Sequence, residues 1–146
     1  MDITVTLTGN LGADPETRLS AAGLPVTSFR VATTPRLNRH GVWIDGATTW
    51  TQVTCFRDLA THVGRSLRKG QPVIVHGRLR TSEWIGSDGA KHDRAVVEAI
   101  AVGHDLNRGA SQFTRSERSA EIVSAPPDEV DEADPAEAEA PAALAA

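Results

Sequence analysis

Apolar and polar residues alternate from the start of the chain. Ile3, Val5 and Leu7 share one parity and Thr4, Thr6 and Thr8 the other, which predicts a half-buried β-strand over residues 3–10. Gly9-Asn10-Leu11-Gly12 breaks the alternation and predicts a bulge or kink. Asp14-Pro15 marks an irregular stretch before Glu16-Thr17-Arg18-Leu19, and Ala21-Ala22-Gly23 turns into a second strand over residues 25–34. There Phe29 and Val31 face one way and Ser28, Arg30 and Ala32 the other. Residues 35–48, with Pro35, Gly41 and Gly46, read as a long hairpin loop leading to a third strand over residues 49–56. Leu59, Val63 and Leu67, spaced by four, predict a short helix capped by Asp58 and ended by Gly70. A fourth strand over residues 72–85, a turn at Ser87-Asp88-Gly89 and a fifth strand over residues 94–102 complete the pattern. Five strands and one short helix, with glycines at the bends, predict an all-β fold: a small closed or partly open barrel. Residues 104–118 either add a further strand or lead into the tail.

Two parities carry more than fold. Trp50, Gln52, Thr54 and Phe56 share the polar side of the third strand, while Val53 and Cys55 point the other way. His76, Arg78, Arg80, Ser82 and Trp84 share the polar side of the fourth, opposite Val73, Val75 and Leu79. Large rings beside arginines on a water-facing sheet predict a stacking platform for unpaired nucleic-acid bases. The alternative for such rings is the rim of the core. Arg30, on the polar side of its own strand, joins Arg78 and Arg80 as a candidate phosphate contact, with Arg36, Arg39, Lys91 and Arg94 as further candidates from loops and turns.

Charge sharpens this reading. The chain has 146 residues and a net charge of −4, but residues 1–118 carry 15 Lys+Arg against 11 Asp+Glu, or +4, and residues 119–146 carry 8 acids and no Lys or Arg, or −8. A basic body suits an anionic ligand. The Ala/Glu/Asp/Pro-rich tail cannot bury enough apolar surface to offset its ordering entropy and is expected to be disordered. It serves either solubility and spacing or competition with the ligand for the basic groove. The expected organisation is a folded domain over residues 1–110 and a flexible acidic tail over residues 111–146.

Other chemistries find little support. No apolar run of about 18 residues occurs, and the N-terminus lacks a basic and apolar leader, so neither membrane insertion nor secretion is expected and a cytoplasmic location follows. Cys55 is the single cysteine, and the five histidines show no ligand spacing with it, so neither a metal, a cofactor nor a Cys–His nucleophile is expected. Asp14, Glu16, Asp45, Asp58 and Asp88 fall in separate loops and turns, which argues against a metal-dependent nuclease and against catalysis.

The segments Thr6-Leu7-Thr8-Gly9-Asn10-Leu11-Gly12-Ala13-Asp14-Pro15-Glu16, Phe29-Arg30-Val31-Ala32-Thr33, Leu67-Arg68-Lys69-Gly70 and Val75-His76-Gly77-Arg78-Leu79-Arg80 resemble, in this order, the bacterial single-stranded DNA-binding proteins. The resemblance covers residues 1 to about 110. It implies a five-stranded OB-fold that coats unpaired DNA in replication, recombination and repair, usually as a homotetramer built from dimers that pair their first strands. It also implies base stacking by Trp50, Phe56 and Trp84, and by Trp43 in the loop between strands two and three. Where relatives have an aromatic soon after strand two, this chain has Arg36-Leu37-Asn38, and Glu83 stands where many are basic. The sequence ends Pro141-Ala142-Ala143-Leu144-Ala145-Ala146 rather than in the family's acidic Pro-Phe tip, which leaves tail-mediated protein partners in question and resembles a specialised second copy. An OB-type primosome-like adaptor, with nucleic-acid binding secondary, is the alternative. Stacking does not itself separate DNA from RNA.

Overall fold

The computed structural model describes residues 1–117, and the fold below is that of the compact unit Met1–Ser111. The second unit, Gln112–Ala146, is described only as far as Glu117, so the expected disorder of the acidic tail lies outside the described residues.

Eight strands, one α-helix and a short 3-10 turn follow in the order β1 (Thr4–Leu11), β2 (Glu16–Leu19), β3 (Pro25–Thr33), β4 (Arg36–Arg39), β5 (Val42–Asp45), β6 (Thr49–Phe56), α1 (Arg57–Ser66), β7 (Pro72–Ile85), β8 (Lys91–His104) and the turn at Leu106–Arg108. The main sheet runs β1-β7-β8-β6-β3-β2, and β1 also pairs with β3. That extra pairing closes five of the strands into a ring. The closed five-stranded barrel with one helix between β6 and β7 is the expected OB-fold.

Closure depends on β1 pairing with two partners. Residues Thr4 to Asn10 pair with β7 from Arg78 to Pro72, and Asn10 and Leu11 then pair with Ala32 and Val31 of β3. The β7–β8 register shifts between His76 and Gly77. A Cβ at Gly77 would collide with the carbonyl oxygen of Glu98, so only glycine lets the two backbones approach this closely.

Inward-facing residues make one core: Leu11, Phe29, Val31, Val53, Cys55, Val73, Val75 and Val97 from the strands, with Ala60, Val63 and Leu67 from the helix segment. Each of the Leu, Val and Phe side chains contributes about 1.5–3 kcal/mol relative to exposure. The single buried polar residue in this set of the described chain, Thr27, donates its hydroxyl to the Ala60 carbonyl at 2.7 Å and lies 2.7 Å from the Thr17 hydroxyl. The helix is thereby tied to both β3 and β2.

Several expectations require correction. The stretch expected as a long loop contains its own two-stranded hairpin, β4–β5, turned at His40-Gly41 with the Asn38 side chain accepting from the Gly41 N–H at 2.9 Å. Alternation there is too short to register beside Pro35 and Gly46. Glu16–Leu19, for which no element is expected from the sequence, forms the edge strand β2 on β3. Asp58 does not cap the helix: Phe56 occupies the N-cap without any side-chain bond, and Asp58 sits in the first turn. Strand β6 passes into α1 without a linker, so no residue is left over to serve as a separate cap. The helix closes at Leu67, with Gly70 farther on at φ +83°. Strand β8 extends beyond residues 94–102 at both ends, because the tight turn lets β7 and β8 pair from Ile85–Lys91 to Val73–His104.

Candidate nucleic-acid interface

The outer surface of the barrel is ordered by register. Strand β6 presents Trp50, Gln52, Thr54 and Phe56 outward, while Val53 and Cys55 are fully buried beneath. On one side Ala32 faces Trp50, Arg30 faces Gln52 and Ser28 faces Thr54. On the other, β6 runs parallel to β8, with Gln52 beside Val96 and Thr54 beside Glu98. Those two residues face Arg80 and Arg78 of β7. A single outward face therefore runs from β3 across β6 and β8 to β7.

The aromatic residues lie open on this face and on two projections from it. Trp50 is 50% exposed, Phe56 46%, Trp84 43% and Trp43 60%. The Arg30 guanidinium sits 4.9 Å from the centroid of the Trp50 ring. The same ring lies so close to Gly12 that a Cβ there would strike it, so that glycine provides its seat. At the far end of the β7–β8 hairpin, Trp84 stands opposite His92, with ring centroids 5.6 Å apart at 23°. Arg94 places its guanidinium 5.2 Å from the Trp84 centroid. His92 Nε2 lies 3.4 Å from Asp88 Oδ1, and the same carboxylate oxygen accepts from the Ala90 N–H at 3.0 Å, joining the turn to the ring stack. Trp43 faces Asn38 on the β4–β5 hairpin, where Arg36 pairs with Asp45 at 3.6 Å and Arg39 is exposed.

The cations fall into distinct environments. Arg30 and Arg94 lie over rings. Arg78 and Arg80 instead enclose two carboxylates: Arg78 Nε reaches Asp2 at 3.3 Å and its Nη1 reaches Glu98 at 3.9 Å, while Arg80 Nη1 reaches Asp2 at 3.0 Å and its Nε reaches Glu98 at 3.5 Å. Two positive and two negative groups cancel within that cluster. Lys91 pairs with Glu83 at 3.2 Å, and both have the parity opposite to Trp84, on the other side of the hairpin. The structure thus brings Arg30, Trp50 and Phe56 together on the barrel and Trp84 and Arg94 together on one hairpin. It sets Arg36, Arg39 and Trp43 on another hairpin, and it leaves Lys91 off the Trp84 face.

His92 was not singled out among the sequence-derived candidates. The Ser87-Asp88-Gly89 turn already implies its position, since pairing outward from that turn sets His92 across from Trp84. Among the described residues no group of three or more His, Cys, Asp or Glu could hold a metal ion, and no helix is long and apolar enough to cross a membrane. Burial pushes the Cys55 thiol up to about 12, so it is a packed neutral group rather than a nucleophile.

Residues 3–105 match the Single-strand binding protein family. The chain belongs to that family. A single-stranded DNA-binding protein of Mycobacterium leprae is 36% identical over 120 residues, covering 81% of this chain and 71% of the relative. Single-stranded DNA-binding protein 2 of Tropheryma whipplei is 38% identical over 113 residues, covering 76% and 74%. The crystal structure of the small single-stranded DNA-binding protein from Streptomyces coelicolor superposes with a TM-score of 0.65 at 38% identity, covering 74% of this chain and 98% of that one.

Proposed function

We propose that this family member binds single-stranded DNA with little sequence preference and protects unpaired strands during replication, recombination or repair. One observation carries the reading: half-open rings of Trp50, Phe56 and Trp84 stand on an outward barrel face and its hairpin, with guanidinium groups over two of them. Bases stack on such rings whatever their identity, because every base has a π-face, and only an unpaired strand can turn those faces outward. Arg30 and Arg94 sit where phosphates flanking a stacked base would pass, and Trp43 and Arg36, on one side of β4–β5, extend the track, while Arg39, paired with Val42, turns to the other side of that hairpin. The exposed pairs Arg36–Asp45 and Lys91–Glu83 are weak enough to exchange partners with a phosphate. Arg78 and Arg80, balanced by Asp2 and Glu98, are better suited to orienting the face than to direct phosphate contact. The names carried by the relatives favour strand binding over an adaptor role. A non-catalytic role, a cytoplasmic location and assembly as a homotetramer built from two dimers complete the proposal.

The test is intrinsic tryptophan fluorescence with oligo-dT at two salt concentrations. Quenching should saturate, and log affinity should fall with log salt by about 0.7 per phosphate neutralised. Trp84→Ala should weaken binding roughly tenfold, from about 1–3 kcal/mol per stacked base. An unchanged midpoint in that variant at fixed salt would refute stacking there.

A further inference from the structure

Arg57 stands at a backbone corner that costs it conformational energy. It follows Phe56 directly, where β6 passes into α1, and adopts φ +57°. Side chains with a Cβ avoid this left-handed region, and glycine would hold the corner without strain. The turn alone therefore does not explain an arginine. Its side chain has no ion pair or hydrogen bond among the described residues, which separates it from Arg78, Arg80, Arg36 and Lys91.

What the arginine borders is a recess of about 430 Å³ lined by Ser20, Leu24, Val26, Phe56, Arg57 and Glu98. Val26 faces Phe56 across the β3–β6 ladder and forms a buried floor, while Leu24 and Phe56 rise as half-open apolar walls. Glu98, on the far side, already faces Arg78 and Arg80, so its charge is balanced. Arg57 is the cation left uncompensated at the rim. The recess is also continuous with the Trp50–Phe56 row, because Phe56 belongs to both.

We infer that this recess is a nucleotide subsite of the bound single strand, in which a base lies between Leu24 and Phe56 over Val26 and Arg57 takes the adjoining phosphate. The inference rests on the reading of the chain as a single-strand binder and adds a position to it. The planar Phe56 ring facing apolar Leu24 suits a base, the free guanidinium suits its phosphate, and the strand reaches both by continuing past Phe56 toward the helix.

The experiment compares the full chain with Arg57→Gly and Arg57→Lys, reading oligo-dT affinity at two salt concentrations and the thermal midpoint. Arg57→Gly should melt at the same temperature or higher, because the strain is relieved. Its affinity at low salt should fall roughly three- to fivefold, the range of an exposed charge contact, and its log–log salt slope should shrink by about 0.7. Arg57→Lys, which keeps the charge, should stay near the unsubstituted chain. Arg57→Gly binding with unchanged affinity and slope overturns this subsite alone, as does Arg57→Lys binding as weakly as Arg57→Gly. Failure of the unsubstituted chain to bind oligo-dT overturns the strand-binding reading and the subsite together.

Discussion

Cys55 and Phe56 are neighbours in the chain and opposites in environment. Strand alternation turns the thiol into the core beside Val31, Val53 and Val75 and turns the phenyl ring out beside the solvent. Burial raises the Cys55 pKa from 9.0 to about 12. Across that interval the unfolded chain gives up the proton while the folded chain keeps it, so unfolding is favoured as pH rises. The contribution of Cys55 to stability is complete below pH 9.0 and fades toward pH 12. Cys55→Ala removes this term. Urea unfolding from pH 9 to 12 should show a smaller loss of stability in the variant than in the parent. Equal losses would mean that the thiol does not hold its proton in the fold.

At the scale of elements, how much could be read from sequence follows the length of each pattern. Strands β1, β3, β6 and β7 are long enough for their parity to declare itself, and parity alone set Trp50, Phe56 and Trp84 outward. Strands β2, β4 and β5 have four residues each and little alternation, so tertiary pairing rather than local pattern defines them. Parity also could not tell which outward arginines are compensated. That depends on β1 delivering Asp2 and β8 delivering Glu98 to the same two side chains of β7, a meeting of three separate stretches. The two classes of arginine should separate in binding experiments. Arg30→Ala should lower oligo-dT affinity roughly threefold or more and cut the salt slope by about 0.7, having lost a cation above an open ring. Arg80→Ala should leave that slope close to the parent's, because Asp2 and Glu98 hold its charge. Equal effects of the two substitutions would make the acidic partners irrelevant to binding.

At the scale of the whole molecule, strand β1 carries a backbone edge that the barrel does not use. Ile3 accepts from the Leu79 N–H, so odd-numbered residues of β1 bond to β7, and Thr4 and Thr6 turn their backbone groups the other way. An uncovered edge is a template for pairing with a second copy. Thr6→Pro deletes one donor on that edge and spares the bonds to β7. Light scattering should report a smaller assembly for this variant, with far-UV circular dichroism unchanged; an unaltered mass would place the subunit contact elsewhere. The double use of β1 has another consequence, for biosynthesis. The strand must join β7, and β7 must join β8, which ends only at His104. During translation the ring therefore stays open until roughly that residue has left the ribosome, some 5–20 s after the first strand at about 5–20 residues per second. Throughout that interval the valine-rich interior has no lid, and the nascent chain is at its most vulnerable to proteases and chaperone capture.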